Sequence, residues 1–149
     1  MTNAEDAGSP LLDDQLCFAL YTAQRAVTAA YRPLLDELGL TYPQYLVLLV
    51  LWESDDRPVK EIGEALHLDY GTLSPLLKRL EASGLVSRIR DTADERRVHV
   101  SLTAAGRRLK ARAAEVPGCL MAASQCSVPE LISLTQQVQA LRDRIKKAA

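Results

Sequence analysis

A mainly α chain carrying one small β-hairpin is the architecture this sequence predicts, on three observations. Apolar residues recur at helical spacing through most of the 149 residues. Two short helices lie only three or four residues apart and are followed at once by two alternating segments around a charged tip. The basic residues crowd into that same stretch. A composition of 48% hydrophobic and 25% charged residues fits one ordinary globular domain and excludes a disordered, collagenous or disulfide-stapled chain. At this length roughly 70% of the unfolded surface is buried, so the core needs neither metal nor disulfide.

After a flexible tail over residues 1–10, Leu16, Ala19, Leu20, Ala23, Ala26 and Val27 recur at helical spacing, which predicts an amphipathic helix over 13–31. Pro33 is expected to break or kink it. Thr41 with Gln44 three residues on reads as a capping box with Pro43 in the first turn, opening a helix over 42–54. That helix is apolar nearly all round and belongs in the core.

Ile62, Ala65 and Leu66 mark a short helix from about Pro58 to His67. Leu73, Leu76, Leu77 and Leu80 predict a second helix over 72–83, ended by Gly84. The connection between them has the length of a helix-turn-helix. Pro75 fits if it falls in the first turn of the second helix. The segments LVSRIRD and RRVHVSL, joined by TADE, read as a β-hairpin, with Val86, Ile89, Val98 and Val100 available for packing. Helix-turn-helix followed directly by a basic hairpin is a winged helix. Thr103 caps a helix running through RRLKARAAEV, and Ser127 with Glu130 opens a last helix to about Lys147. Its apolar residues Leu131, Leu134, Val138, Leu141 and Ile145 keep a spacing of three or four.

Residues 11–149 thus form a single domain, with 58–103 as the winged helix-turn-helix and 11–57 and 104–149 as flanking helices. The flanking helices carry apolar stripes that little else in the chain can cover, so a homodimer built from both chain ends is expected. A symmetric dimer also matches an inverted-repeat operator, whose half-sites lie about 34 Å apart.

The net charge of −1 conceals an asymmetry. Residues 1–71 carry 4 basic and 12 acidic side chains, and residues 72–112 carry 10 basic against 4 acidic. A basic stretch in an otherwise acidic chain points to double-stranded DNA. With the leucines inward, the helix over 72–83 presents Thr72, Ser74, Lys78 and Arg79, suited to base edges and phosphates in a major groove. At the hairpin tip Arg96 and Arg97 would reach the adjacent minor groove, with Asp94 or Glu95 orienting a guanidinium.

The segments LGLTYPQYLVLLVLWE, EIGEALHLDYGTLSPLLKRLEASGLVSRIRD and DERRVHVSLTAAGR resemble the multiple-antibiotic-resistance-regulator (MarR) family of dimeric winged-helix repressors. The resemblance covers roughly residues 11–147. It implies that Asp94 and Arg96 belong to the family's wing element, Arg96 being the minor-groove arginine. DQLCFALYTAQRAVTAAYRPLL is similar to the organic-hydroperoxide-sensing branch, which implies a reactive cysteine at Cys17.

Tyr31 lies 14 residues beyond Cys17, about 21 Å along an unbroken helix, so contact within one chain is excluded unless the helix folds back. An antiparallel partner would bring its own Tyr31 within reach. The resemblance implies this arrangement, with Tyr31 and Tyr42 of the second subunit hydrogen-bonding the Cys17 sulfur and favouring its thiolate. The thiolate would attack a peroxide O–O bond and become a sulfenic acid, among apolar walls for which Leu16, Phe18, Leu46, Val50 and Trp52 are candidates. The resemblance places a resolving cysteine in the region of Cys119 and Cys126. Cys126 is favoured slightly, because a loop moves more easily than a helix interior. Tyr45, Tyr70 and Trp52 read as core or rim aromatics.

The expectation is a dimeric repressor that senses organic hydroperoxides through Cys17 and then releases operator DNA. One alternative is a related repressor released by a small apolar or phenolic ligand in the dimer cleft. A Cys17 thiol peroxidase is a more distant one, for which the basic segment has no use. No cofactor is expected. His67, His99 and the scattered cysteines offer no ligand spacing for a metal. The longest apolar run, Leu46 to Trp52, is far short of the roughly 20 residues of a bilayer span, and the chain opens on acidic and polar residues. A soluble cytoplasmic protein without membrane contact is expected.

Overall fold

Helix α2 (Tyr42–Glu53) is the pillar around which the other elements pack. It starts where expected, because the Thr41 hydroxyl accepts the Gln44 N–H while the Gln44 side chain accepts the Thr41 N–H. Its Val47, Leu48 and Leu51 are essentially inaccessible, and each such side chain contributes about 1.5–3 kcal/mol on burial. The structure is a computed structural model that describes residues 8–149, so most of the expected tail lies outside the described residues.

A short 3-10 turn (Leu12–Asp14) leads into α1 (Leu16–Leu38). The helix therefore begins three residues later than expected and continues past Pro33, which does not break it. Pro33 is exposed and removes a single backbone bond, while Tyr31 and Leu35 on either side of it are buried and hold the chain helical. Gly39, at φ +71°, ends α1 with the Leu40 N–H returning to the Leu35 carbonyl.

Helices α3 (Val59–Leu66) and α4 (Tyr70–Ala82) form the helix-turn-helix, and Ile62, Leu73, Leu77 and Leu80 seat it on α2. The α4 helix starts two residues before the predicted position because the Asp69 carboxylate caps it, accepting the Thr72 N–H at 2.7 Å. Pro75 consequently falls inside the helix and not in its first turn. Gly84, at φ +74°, closes α4 as expected.

Strands β2 (Val86–Arg90) and β3 (Val98–Leu102) form the hairpin, pairing Val86 with Leu102 and Arg90 with Val98. A two-residue strand that the sequence did not reveal, β1 (Arg57–Pro58), adds to the other edge of β3 and completes an antiparallel sheet in the order β1-β3-β2. Val86 and Val100 are buried in the core, whereas Ile89 stands 59% exposed on the outer face.

Thr103 caps α5 (Ala104–Ala113) through the Gly106 N–H. The helix expected to run on to Val116 stops at Ala113, and a separate helix, α6 (Val116–Ser124), begins with Pro117 in its first turn. The Ser127–Glu130 capping box opens α7 (Val128–Ala148) as read from the sequence. Among the described residues no single helix is long and apolar enough to cross a membrane.

Candidate nucleic-acid interface and thiol site

The buried leucines of α4 leave the opposite face to Thr72, Lys78 and Arg79, all exposed, with Ser74 half-buried beside them. The backbone explains the presentation. The Asp69 cap fixes the first turn, and the Leu85 N–H donates to the Leu80 carbonyl beyond Gly84, fixing the last. Hydrogen bonds to Thr72 hold the Asp69 carboxyl below the usual carboxylate range, so the cap is ionised at neutral pH.

A groove of about 1130 Å³ runs between α3, α4 and the hairpin, with Lys60, Ser74, Arg88, Arg96 and Arg97 among its walls. Arg88 is tied to the recognition helix. Its guanidinium and its N–H both donate to the Glu81 carboxylate, which they hold below the usual range. At the hairpin tip Arg96 and Arg97 are exposed. Asp94 does not orient a guanidinium; its carboxylate accepts the Arg96 backbone N–H at 3.0 Å and its carbonyl accepts that of Arg97 at 2.9 Å. Asp94 thus shapes the turn, and among the described residues neither guanidinium group is paired with a carboxylate. Among the described residues Glu95 meets an arginine through its carbonyl, which Arg90 approaches at 3.4 Å.

Sequence reasoning missed Asp69, Arg88 and Glu81 as parts of this surface. Asp69 was legible in principle, since a carboxylate three residues before Thr72 is a capping signal. The Glu81–Arg88 pair was not, because it joins a helix to a strand across a turn.

At the other end of the molecule, Cys17 is exposed and is the second residue of α1. It therefore lies in the first turn, where unpaired backbone N–H groups favour negative charge. Tyr31 and Tyr42 stack at 5.7 Å between ring centres, 13° from parallel, with Tyr45 6.3 Å beyond Tyr42. Burial pushes both phenols above the ordinary tyrosine value, so each keeps its O–H at neutral pH. As α1 is unbroken between them, Cys17 and Tyr31 of one chain stay apart.

Cys119, in α6, donates its thiol to the Ala30 carbonyl at 3.2 Å, one residue from Tyr31. Cys126 lies in the loop before Ser127 with its sulfur 3.7 Å from the Ser124 carbonyl. Of the candidate apolar walls, Leu16 is exposed and Phe18, Leu46 and Val50 are half-buried. Trp52 is half-buried against the core, its N–H on the Gly106 carbonyl at 2.9 Å and its ring edge-on to Tyr45. Tyr45 is buried and Tyr70 lies exposed at the start of α4.

Residues 29–113 match the family model described as transcriptional regulator SarA/Rot. The chain is 47% identical over 134 residues to the organic hydroperoxide resistance transcriptional regulator of Bacillus subtilis, covering 90% of this chain and 91% of the relative. It is 51% identical over 138 residues to the HTH-type transcriptional regulator TtmR of Methylorubrum extorquens, covering 93% and 71%. Its fold is similar to that of reduced AbfR bound to DNA, with a TM-score of 0.76 at 34% identity over 90% of this chain and 94% of that one. The capped recognition helix, the arginine-tipped hairpin and these relatives agree, and the chain belongs to the MarR/SarA family of winged-helix transcriptional regulators.

Proposed function

We propose that this regulator is a homodimeric repressor that binds an inverted-repeat DNA operator while Cys17 is reduced and releases it when an organic hydroperoxide oxidises that thiol. The observation that carries the reading is an exposed thiol in the first turn of α1, together with two protonated, stacked phenols, one in the second half of the same helix and one at the start of α2. A second chain laid antiparallel along α1 would set its Tyr31 and Tyr42 beside Cys17. The identity with an organic hydroperoxide resistance regulator supports the choice of oxidant.

In the first step the Cys17 thiolate attacks the O–O bond, giving the sulfenic acid and an alkoxide that takes a proton to leave as the alcohol. A second thiol then condenses with the sulfenic acid, forming a disulfide and releasing water. Cys119 is favoured over Cys126 as that second thiol. It sits beside Tyr31, so whatever brings a partner's Tyr31 to Cys17 brings Cys119 as well. On the DNA side, Thr72, Ser74, Lys78 and Arg79 read the major groove, and Arg96 and Arg97, shaped by Asp94, enter the minor groove.

The test is fluorescence anisotropy on a duplex from upstream of the protein's own coding region, before and after one equivalent of cumene hydroperoxide. Release by the wild type and retention by C17S are expected. Retention by both would strip Cys17 of its role and favour an apolar ligand in the dimer cleft. Turnover of many equivalents of peroxide per subunit with a thiol reductant would instead mark a peroxidase.

A further inference from the structure

The base of the hairpin loop holds a histidine between two carboxylates that no DNA-contacting role uses. His99 alternates on β3 with the buried Val100, so its ring lies on the outer face of the sheet. Its Nδ1 is 3.4 Å from Asp56 Oδ1 and its Nε2 is 3.4 Å from Asp91 Oδ2. The Nε2 atom is buried and makes no hydrogen bond among the described residues.

The two carboxylates belong to different parts of the winged helix. Asp56 lies in the turn before β1, in a left-handed conformation (φ +54°) that is uncommon for a residue with a side chain, and its Oδ1 also accepts the Ser101 hydroxyl. Asp91 opens the hairpin loop. Its N–H donates to the Arg97 carbonyl and its carboxylate accepts the Ala93 N–H, each at 2.8 Å. The ring therefore stands between the turn that anchors the sheet edge and the loop that carries Arg96 and Arg97.

A neutral imidazole has one N–H, so it serves one of these carboxylates and turns a lone pair towards the other; an imidazolium donates to both. Histidine changes charge within the pH 5–8 range. We propose that His99 is a positioning residue of the wing: protonated, it bridges Asp56 and Asp91, draws the hairpin loop onto the β1 turn and sets Arg96 and Arg97 for DNA, so that affinity rises as pH falls.

Among the described residues Asp56 and Asp91 are the carboxylates that approach its ring, and Arg107 of α5, which also packs on β3, is engaged by Asp55 at 3.7 Å. The residues opposite His99 on the neighbouring strands, Pro58 and Ile89, are uncharged. Helix α3, which packs on β3, opens with Lys60 and Glu61, and Glu61 is engaged by Arg57 at 3.0 Å. On β2, Arg88 is engaged by Glu81, and Arg90 reaches the Glu95 carbonyl.

The inference rests on the reading of the hairpin as a DNA contact, and the experiment separates the two. Anisotropy titrations of the reduced full-length protein on the same duplex run from pH 8 to pH 6 at constant salt, with wild type, H99Q, H67Q and R96A. Glutamine hydrogen-bonds but does not titrate in this range. Wild type and H67Q should gain about fivefold more affinity across the range than H99Q, the scale of one ordinary net hydrogen bond. Should H99Q not fold, D91N and D56N carry the same expectation, since each leaves the ring a single carboxylate. A wild-type slope in folded H99Q, or in both aspartate variants, overturns the role of His99. Unchanged affinity in R96A overturns the wing contact on which that role stands.

Discussion

Asp69, Glu81 and Asp91 each hold a carboxyl below its usual range, and in each the largest cause is a hydrogen bond to the charged form: from Thr72, from Arg88 and from the Ala93 N–H respectively. A folded value below the unfolded one gives stability that is complete above the ordinary carboxylate range and is lost as pH falls through the folded value. Thermal midpoints are therefore expected to hold level from neutral pH to about 5, then fall, with D69N and E81Q falling less steeply than wild type in circular-dichroism melts. An equal slope in all three would show that these caps and pairs add nothing. Asp69 was within reach of a sequence reading because its partner is three residues away. Glu81 and Arg88 were not, because their pairing depends on how β2 leaves α4.

Helix α5 shows how one element is placed by a residue too small to attract notice. A Cβ on Gly106 would lie 2.1 Å from the Leu85 carbonyl, a backbone atom that also accepts the Thr103 N–H, while the Gly106 carbonyl receives the Trp52 N–H. G106A should therefore cost more than about 3 kcal/mol and lower the denaturant midpoint sharply, as overpacking against fixed backbone does. G84A, open in space but held at φ +74°, should cost about 1–2 kcal/mol. Urea melts of both variants check the order, which reverses if the left-handed turn matters more than the close approach. Caps at Thr41, Thr103 and Ser127 made the starts of three helices legible. The helix through Pro33 and the interior Pro75 were misjudged because burial on either side outweighs the single backbone bond a proline removes.

Across the whole molecule, α7 buries no residue completely and turns Ile132, Leu134, Val138 and Ile145 to solvent. Exposed apolar stripes of this kind mark interaction surfaces. The residues read here as a dimer surface therefore carry their own test: I132D combined with L134D should give a monomer by light scattering and lose operator affinity at least tenfold, since one reading head cannot span two half-sites. A dimer that persists would move the interface elsewhere. Salt offers a second check on the DNA face. If Lys78, Arg79, Arg96 and Arg97 meet phosphates, log affinity should fall linearly with log salt at a slope of about −0.9 per contact, and K78A should flatten it by about one.

Local signals in the sequence determined the mainly helical character, the helix-turn-helix spacing, the basic hairpin and the three side-chain caps, because each depends on residues within one or two turns of each other. The third strand, the Glu81–Arg88 clasp, the placement of Cys119 beside Tyr31 and of His99 between two aspartates were decided only in three dimensions. Each of these joins residues that chain direction carries apart and that the core around Leu48, Ile62 and Val100 brings back together.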